Sequence, residues 1–583
     1  MPNPNLNLYS SNQATSSPTI ALTEEPPISI PGVNGEMLSA LKSGNNVMLL
    51  AGILAFIGLS LMGGQGKKAK LATGRFGTSK EKLTARKLAL KQIRKRKRNA
   101  VALYIGKPKA TFLGSSRSQT IYLPDAQRGI AVCGGPGSGK TWSIINPALR
   151  SAIDQGFPVI LYDFKFPSAN GVLDGSSQTE QIVGYAETAG YQINFFAPGF
   201  RESDICNPLD FLRTPTDAET ARQLGTVMNR NFRLLAQDKE DPFFGPAGDQ
   251  LCEAIFMLAK SSPYPDVMMC QAILSMDRLV DRLQAADLDY FIKASFGQLI
   301  SVGKSEKTVA SIIGTANIVF TRFMKPSVLA AFCGQTTLPL DITGKQLLVF
   351  GMDRERRDVV GPLLATVLHM IVNRNVSRGR TDPLILALDE VPTLYLPALV
   401  NWLNENRSDG LVTLIGFQNI VQLEEVYNKK YKSILGGCAT KAIFNPQEAD
   451  SAKMFSEYLG EEEVHFSQTS HGSSGGKGST NVSEQDRTRK LFEPSQFLKL
   501  PTGRCILISP GHENKQEAAV PINQNVKIPL ADIAASEASV KKWPDIRDEF
   551  IAISPQQLPT EADLKQRYSE ADKCYCLPNH SDL

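Results

Sequence analysis

Residues 128–145, RGIAVCGGPGSGKTWSII, constrain the fold of this chain more than any other stretch. Gly134, Gly135, Pro136, Gly137, Ser138, Gly139, Lys140 and Thr141 fit the pattern G-x-x-x-x-G-K-[ST], with an apolar strand (Gly129–Cys133) before it and a helix opening near Lys140 after it. The glycines allow backbone N–H groups to turn toward phosphates, and the helix N-terminus adds its partial positive charge. In such a loop Lys140 holds the β- and γ-phosphates of ATP and Thr141 ligates Mg2+. The expected fold is therefore a RecA-like α/β P-loop NTPase with a mainly parallel central sheet.

The second apolar run, PVILYDFKF (Pro158–Phe166), follows after one crossover helix, and this βαβ order makes the sheet parallel with its functional loops at the carboxyl edge. Asp163 and Lys165 fall at that edge, either in nucleotide chemistry or in a strand-end salt bridge. PLILALDE (Pro383–Glu390) ends in the acid pair that a P-loop site needs: Asp389 to hold magnesium and Glu390 to polarise the attacking water. LVTLIGFQ (Leu411–Gln418) delivers Gln418 to the same edge, as a γ-phosphate sensor or as an ordinary strand-to-helix cap. Further strands are expected at Gln346–Gly351, Ala439–Phe444 and Arg504–Ser509. Between them, residues 208–338 repeat apolar positions at three and four, the period of an inserted all-helical domain. Residues 467–487 read as a flexible Ser/Gly-rich loop, and the tail 528–583 as polar with weak helical pieces.

Charge is distributed unevenly. Residues 65–107 hold fifteen Lys or Arg against one acid, Glu81, so the rest of the chain is acidic although the formal total is +5. Such a block suits an anionic partner, lipid headgroups or nucleic acid. Just before it, VMLLAGILAFIGLSLM (Val47–Met62) runs sixteen residues without a charge, close to the minimum for a spanning helix. Lys67, Lys68 and Lys70 follow, whereas Lys42 is the one basic residue among the first 44, which orients the C-terminal bulk to the cytoplasm of a single-pass inner-membrane protein. A buried helix of a soluble domain and a cleaved signal peptide are the alternatives. The segment lies too far from Met1, without a basic stretch ahead of it, for the latter. The nine cysteines show neither zinc-ligand spacing nor a disulfide framework.

Taken in order, GGPGSGKT, the strand ending YDFK, LILALDEVPTL, GLVTLIGFQNIVQLEEVY, CATKAIFNPQEADSAKMFSEYLG and RKLFEPSQFLKLPTGRCILISPG resemble the TraG/TraD type of coupling protein of type IV secretion and conjugation, relatives of the FtsK and HerA motors. The resemblance covers roughly residues 70–512. It implies a membrane-anchored homo-hexamer that couples ATP hydrolysis to moving single- or double-stranded DNA with its relaxase, or secreted protein substrates, toward type IV secretion components. It also implies that the helical insert docks cargo and that an arginine from the neighbouring subunit completes each site; Arg407, in NENRSDG, occupies the matching place. The chain departs from the family in having one apparent span rather than two. It departs again in Lys165-Phe166-Pro167, where the family usually has Lys-Gly-Glu. The expected organisation is a tail (1–44), a span (45–64), a basic juxtamembrane segment (65–110), a nucleotide-binding domain in two parts (111–207 and 339–527) around the insert, and the C-terminal tail. A protein-handling pilus or secretion motor and a non-hydrolysing nucleotide-binding scaffold remain as alternatives.

Overall fold

The computed structural model describes residues 72–108, 120–167, 175–236, 244–474 and 477–577. The expected tail at 1–44, the span at 45–64 and the lysines that follow it lie outside the described residues. Helix α1 (Ser79–Lys95) opens on a capping box in which Thr78 and Glu81 bond reciprocally, so the one acid of the basic block is taken up by Thr78 and by Arg75, 2.7 Å away. One stripe of α1 (Ala85, Ala89, Gln92) is buried, with Ala89 against Tyr104 and Tyr122 of β1 (Leu103–Ile105) and β2 (Ile121–Leu123). This basic helix thus lays one face on its own protein. The antiparallel pairing of β1 with β2 bridges the expected boundary at residue 110.

The main sheet has nine strands. Beyond β3 (Ile130–Cys133), a π-helical turn (Thr141–Ile145) and α2 (Asn146–Asp154) lead to β4 (Val159–Asp163), and α3 (Gln178–Thr188) leads to β5 (Gln192–Phe196). After the helical region come β6 (Gln346–Gly351), β7 (Leu384–Leu388), β8 (Leu411–Phe417) and β9 (Thr440–Ile443); an excursion through β10 (Glu461–Ser474) and β11 (Lys477–Lys490) precedes β12 (Arg504–Ile508) and β13 (Ile522–Asn525). The spatial order is β13-β12-β9-β3-β8-β7-β4-β6-β5. From β9 to β5 every pair is parallel, and β12 and β13 add an antiparallel edge. Both faces are covered, which is why these strands read as continuous apolar runs: along β4, Val159 and Leu161 join one core while Ile160 and Tyr162 join the other.

Between β5 and β6 the described residues of 208–338 form helices and turns and no strand. Helices α4 (Ala218–Ala236), α5 (Phe244–Lys260), α6 (Val267–Leu274) and α7 (Glu306–Phe323) pack through aromatic pairs such as Phe256 on Phe320, 5.6 Å between centroids. Their core is continuous with one face of the sheet. The link runs through α8 (Arg357–Val376), the one described helix long and apolar enough to cross a membrane, which is instead largely buried in this core. Helices α9 (Ile420–Tyr427) and α10 (Ala449–Leu459) follow β8 and β9.

Two expectations are corrected. The Ser/Gly-rich stretch at 467–487 lies in an antiparallel ribbon of β10 with β11, paired from Glu461↔Lys490 to Ser474↔Lys477. Ladder bonds come from the backbone and need no apolar side chains. The polar tail folds back as two full helices, α11 (Leu530–Ala552) and α12 (Glu561–Cys574). Trp543 is fully buried edge-on to Phe195, 5.5 Å between centroids, and Gly184 on α3 admits the backbone of Ser539 too closely for any side chain there. Farther on, Arg567 reaches Asp266 at 2.8 Å and ties α12 to α6.

Candidate nucleotide site

Parallel strands put all their carboxyl ends on one edge, and the order β3-β8-β7 sets three of the sequence-predicted segments side by side there. The loop after β3 carries Gly134 to Thr141, the end of β7 carries Asp389 and Glu390, and Gln418 ends β8 between them. The amide of Gly134 donates to Phe417 O at 3.1 Å, and Cys133 Sγ lies 3.5 Å from Gln418 O, so Gln418 is held directly beside the loop through its backbone.

Lys140 Nζ lies 2.9 Å from Glu390 Oε2, and Thr141 Oγ1 donates to Asp389 Oδ2 at 2.7 Å. Residues 250 positions apart therefore meet in one half-buried cluster. Asp389 Oδ1 is buried without a hydrogen-bond partner. Burial pushes the Asp389 carboxyl above the usual range, while the Lys140 ammonium and the Thr141 hydroxyl pull it down. An under-bonded carboxylate beside a threonine hydroxyl is a hard oxygen pair of the kind magnesium selects, so the residues present fit the metal.

Local backbone is shaped for this arrangement. Gly137 and Gly139 sit at φ +73° and +92°, values that an L side chain resists, and a Cβ on Gly137 would meet nothing within 4 Å, which leaves the crown of the loop open. Glu390 is a non-glycine residue at φ +74°. Its strained peptide is pinned by its N–H on Gly416 O (3.1 Å) and by Thr393 Oγ1 donating to its carbonyl (2.6 Å), with Tyr162 OH on Thr393 in turn (2.8 Å). A Cβ on Gly416 would stand 2.5 Å from Asp389 Oδ1, so that glycine makes room for the carboxylate.

Among the described residues, no hydrogen bond or ion pair joins the remaining expected residues to the cluster. Asp163 accepts from Ser177 Oγ, Thr179 N, Thr179 Oγ1 and Lys165 N at 2.7–2.9 Å, which makes it a saturated cap over the start of α3 rather than half of a salt bridge. Lys165 is exposed. Arg407 is exposed in the turn before β8, at the opposite edge of the sheet and about 20 Å from its own P-loop by the length of that strand. Residue-type patterns missed Gly416, Thr393, Gln447 and Thr502. The last two bond to carbonyls of the phosphate loop, Gln447 Nε2 to Pro136 O at 2.9 Å and Thr502 Oγ1 to Gly137 O at 3.0 Å. Gly416 had a usable signal, a glycine inside an apolar strand, which marks close approach.

Residues 383–502 match the family described as the TraM recognition site of TraD and TraG. The coupling protein TraD of Escherichia coli (strain K12) is 23% identical over 354 residues, 57% of this chain and 47% of that protein, so the chain spans about half the length of this curated relative. The fold is similar to that of the plasmid coupling protein TrwB solved with ADP and Mg2+, at a TM-score of 0.54 and 13% identity over 80% of this chain and 96% of that one. It is likewise similar to TrwB with a non-hydrolysable ATP analogue, at a TM-score of 0.52 and 14% identity over the same shares. The family match, the curated relative and the shared fold agree with the ordered motifs in identifying this chain as a relative of the TraG/TraD-type coupling proteins.

Proposed function

We propose that this chain is a coupling motor that hydrolyses magnesium-ATP to move single- or double-stranded DNA with its relaxase, or protein substrates, into a type IV secretion channel. The observation that carries the reading is the meeting of Lys140 with Glu390 and of Thr141 with Asp389 at 2.9 and 2.7 Å. A scaffold that only bound nucleotide has no need of Glu390 beside the lysine. The TrwB complexes with ADP and Mg2+ and with an ATP analogue, in a similar fold, favour the same ligand here.

In this reading the loop amides and Lys140 hold the phosphates, Thr141 and Asp389 hold the metal, Glu390 accepts a proton from the attacking water, and Gln418 orients that water. Bound magnesium supplies neutralising charge on the phosphate oxygens. Arg407, exposed at the far edge of its own sheet, serves the site of a neighbouring subunit in a homo-hexameric ring. Residues 47–62 anchor the ring in the inner membrane with the bulk in the cytoplasm, and the basic block after them meets anionic lipids.

The test is ATP hydrolysis by the full chain in detergent, with and without single-stranded DNA. Lys140→Ala is expected to lower turnover by about 100- to 1,000-fold, the usual loss when one preorganised charge is removed from a transition state. Turnover that DNA leaves unchanged would remove the DNA half of the reading. Arg407→Ala mixed into wild type should depress activity more steeply than dilution does; a linear fall would mean that subunits do not share sites.

A further inference from the structure

Three consecutive carbonyls of the phosphate loop are held from outside it. Pro136 O accepts from Gln447 Nε2 at 2.9 Å, Gly137 O from Thr502 Oγ1 at 3.0 Å, and Ser138 O from the amide of Gly503 at 3.0 Å. In a trans peptide the carbonyl and the following N–H point in opposite directions. Fixing Pro136 O and Ser138 O outward therefore aims the amides of Gly137 and Gly139 the other way, into the open crown. The middle peptide, gripped by Thr502, sends its N–H to Gly135 O at 3.2 Å and closes the turn.

The holders are themselves fixed. Asn445 O accepts the amide of Gly135 at 2.8 Å, Asn445 Oδ1 accepts the amide of Gln447 at 2.8 Å, and Asn445 Nδ2 reaches Leu498 O at 2.9 Å. Gln447 stands at φ +55°, unusual for a glutamine, and a Cβ on Gly135 would meet its amide at 2.5 Å. Gly503 passes the restraint to the antiparallel edge, since its carbonyl accepts from Val526 N at 2.9 Å. A glutamine held in the left-handed region strains its backbone, which is costly to keep for a surface residue with no task.

We propose that Gln447 and Thr502 are positioning residues of the nucleotide site, which set its affinity for phosphates by holding the loop's carbonyls outward. The inference rests on the nucleotide reading above. It adds that the two ends of the excursion between β9 and β12, which carries α10 and the β10–β11 ribbon, converge on the P-loop. The loop is thus held from both ends of that excursion, by these two side chains together with the backbone of Asn445 and Gly503. Both are exposed, so each bond competes with water and its loss is worth a modest factor.

The test uses the full chain in detergent, with Mg·ADP binding and steady-state ATP hydrolysis as readouts. Gln447→Gly removes the amide donor while suiting the φ +55° backbone better than glutamine does, and Thr502→Val removes the hydroxyl at nearly constant volume. Each is expected to raise KM for ATP and Kd for Mg·ADP about threefold to tenfold, with the effect on KM rather than kcat and with a thermal midpoint that does not fall. Thr502→Ser, which keeps the donor, restores wild-type values. Unchanged KM and Kd in both variants, with wild type binding normally, overturn this inference and leave the nucleotide reading standing. A loss that tracks a fallen thermal midpoint also overturns it, because that is a purely structural effect. Absence of Mg·ADP binding by the wild type overturns both.

Discussion

Asp163 and Asp389 end or follow adjacent parallel strands, β4 and β7, on the same edge of one sheet, yet they have opposite surroundings. Asp163 receives four hydrogen bonds from hydroxyls and amides of its own loop and of α3. Asp389 receives one, from Thr141, and buries its other oxygen unpartnered. A carboxylate surrounded by donors has no capacity left for a ligand and serves the fold. One left under-bonded in a site of perturbed pKa is a cost to the fold that a ligand can offset. Position on the carboxyl edge is thus not enough to assign a role, and satisfaction of the lone pairs decides it.

The largest test of that contrast is substitution in the under-bonded pair. Asp389→Asn and Glu390→Gln are each expected to lower ATP turnover about 100- to 1,000-fold while leaving the urea midpoint unchanged or slightly raised, since burial already disfavours the charged form of Asp389. A large drop in stability with Asp389→Asn would mean that the carboxylate holds the fold, and the contrast would fail from that side. Asp163→Ala comes next. It strands the Ser177 and Thr179 donors in the interior and should cost about 3 kcal/mol of unfolding free energy, read by urea titration. If instead the fold persists and turnover per folded molecule falls more than about tenfold, a threshold of roughly 1.4 kcal/mol, Asp163 belongs to the nucleotide site.

The threonines repeat the comparison at smaller scale. Thr141→Val removes a hydroxyl facing Asp389, and Thr179→Val one facing Asp163, both at 2.7 Å. The first should weaken magnesium-dependent turnover about tenfold with little change in stability. The second should cost about 2 kcal/mol of stability, as for a hydrogen bond to a charged acceptor, with turnover kept. Exchanged outcomes would reverse the assignment of the two acids.

How much of this could be read from residue order depends on how each feature is encoded. The meeting of residues 134–141 with Asp389 and Glu390 was legible because the sequence pattern fixes particular residue types at a set spacing after apolar strands. The parallel strands were legible because burial on both faces leaves an unbroken apolar run. The docked tail was not, since a helix anchored chiefly by Trp543 and Ile546 averages out as polar. The β10–β11 ribbon escaped because its ladder is made by backbone groups. Gln447 and Thr502 act on main-chain carbonyls, a task that several residue types can perform, so no pattern announces them. Asp163 was placed correctly on the edge, but its hydroxyl donors lie 14 and 16 residues away, at the start of α3, where one strand does not determine the path of the chain.

The smallest expected effect marks the limit of the contrast. At the base of the ribbon Glu462 pairs with Arg489 at 2.7 Å, as well satisfied by distance as Asp163, but the arginine is largely in water. Desolvation is what makes an unmet partner expensive, so saturation should matter little here. Glu462→Ala is expected to lower stability by no more than about 0.5 kcal/mol, and less at high salt, where exposed pairs are screened. Urea titrations of wild type and variant at low and high salt check this. A loss of about 2 kcal/mol that salt does not reduce would mean that counting bonds predicts the role of an acid wherever it sits, and burial would have to be dropped from the account of Asp163 and Asp389.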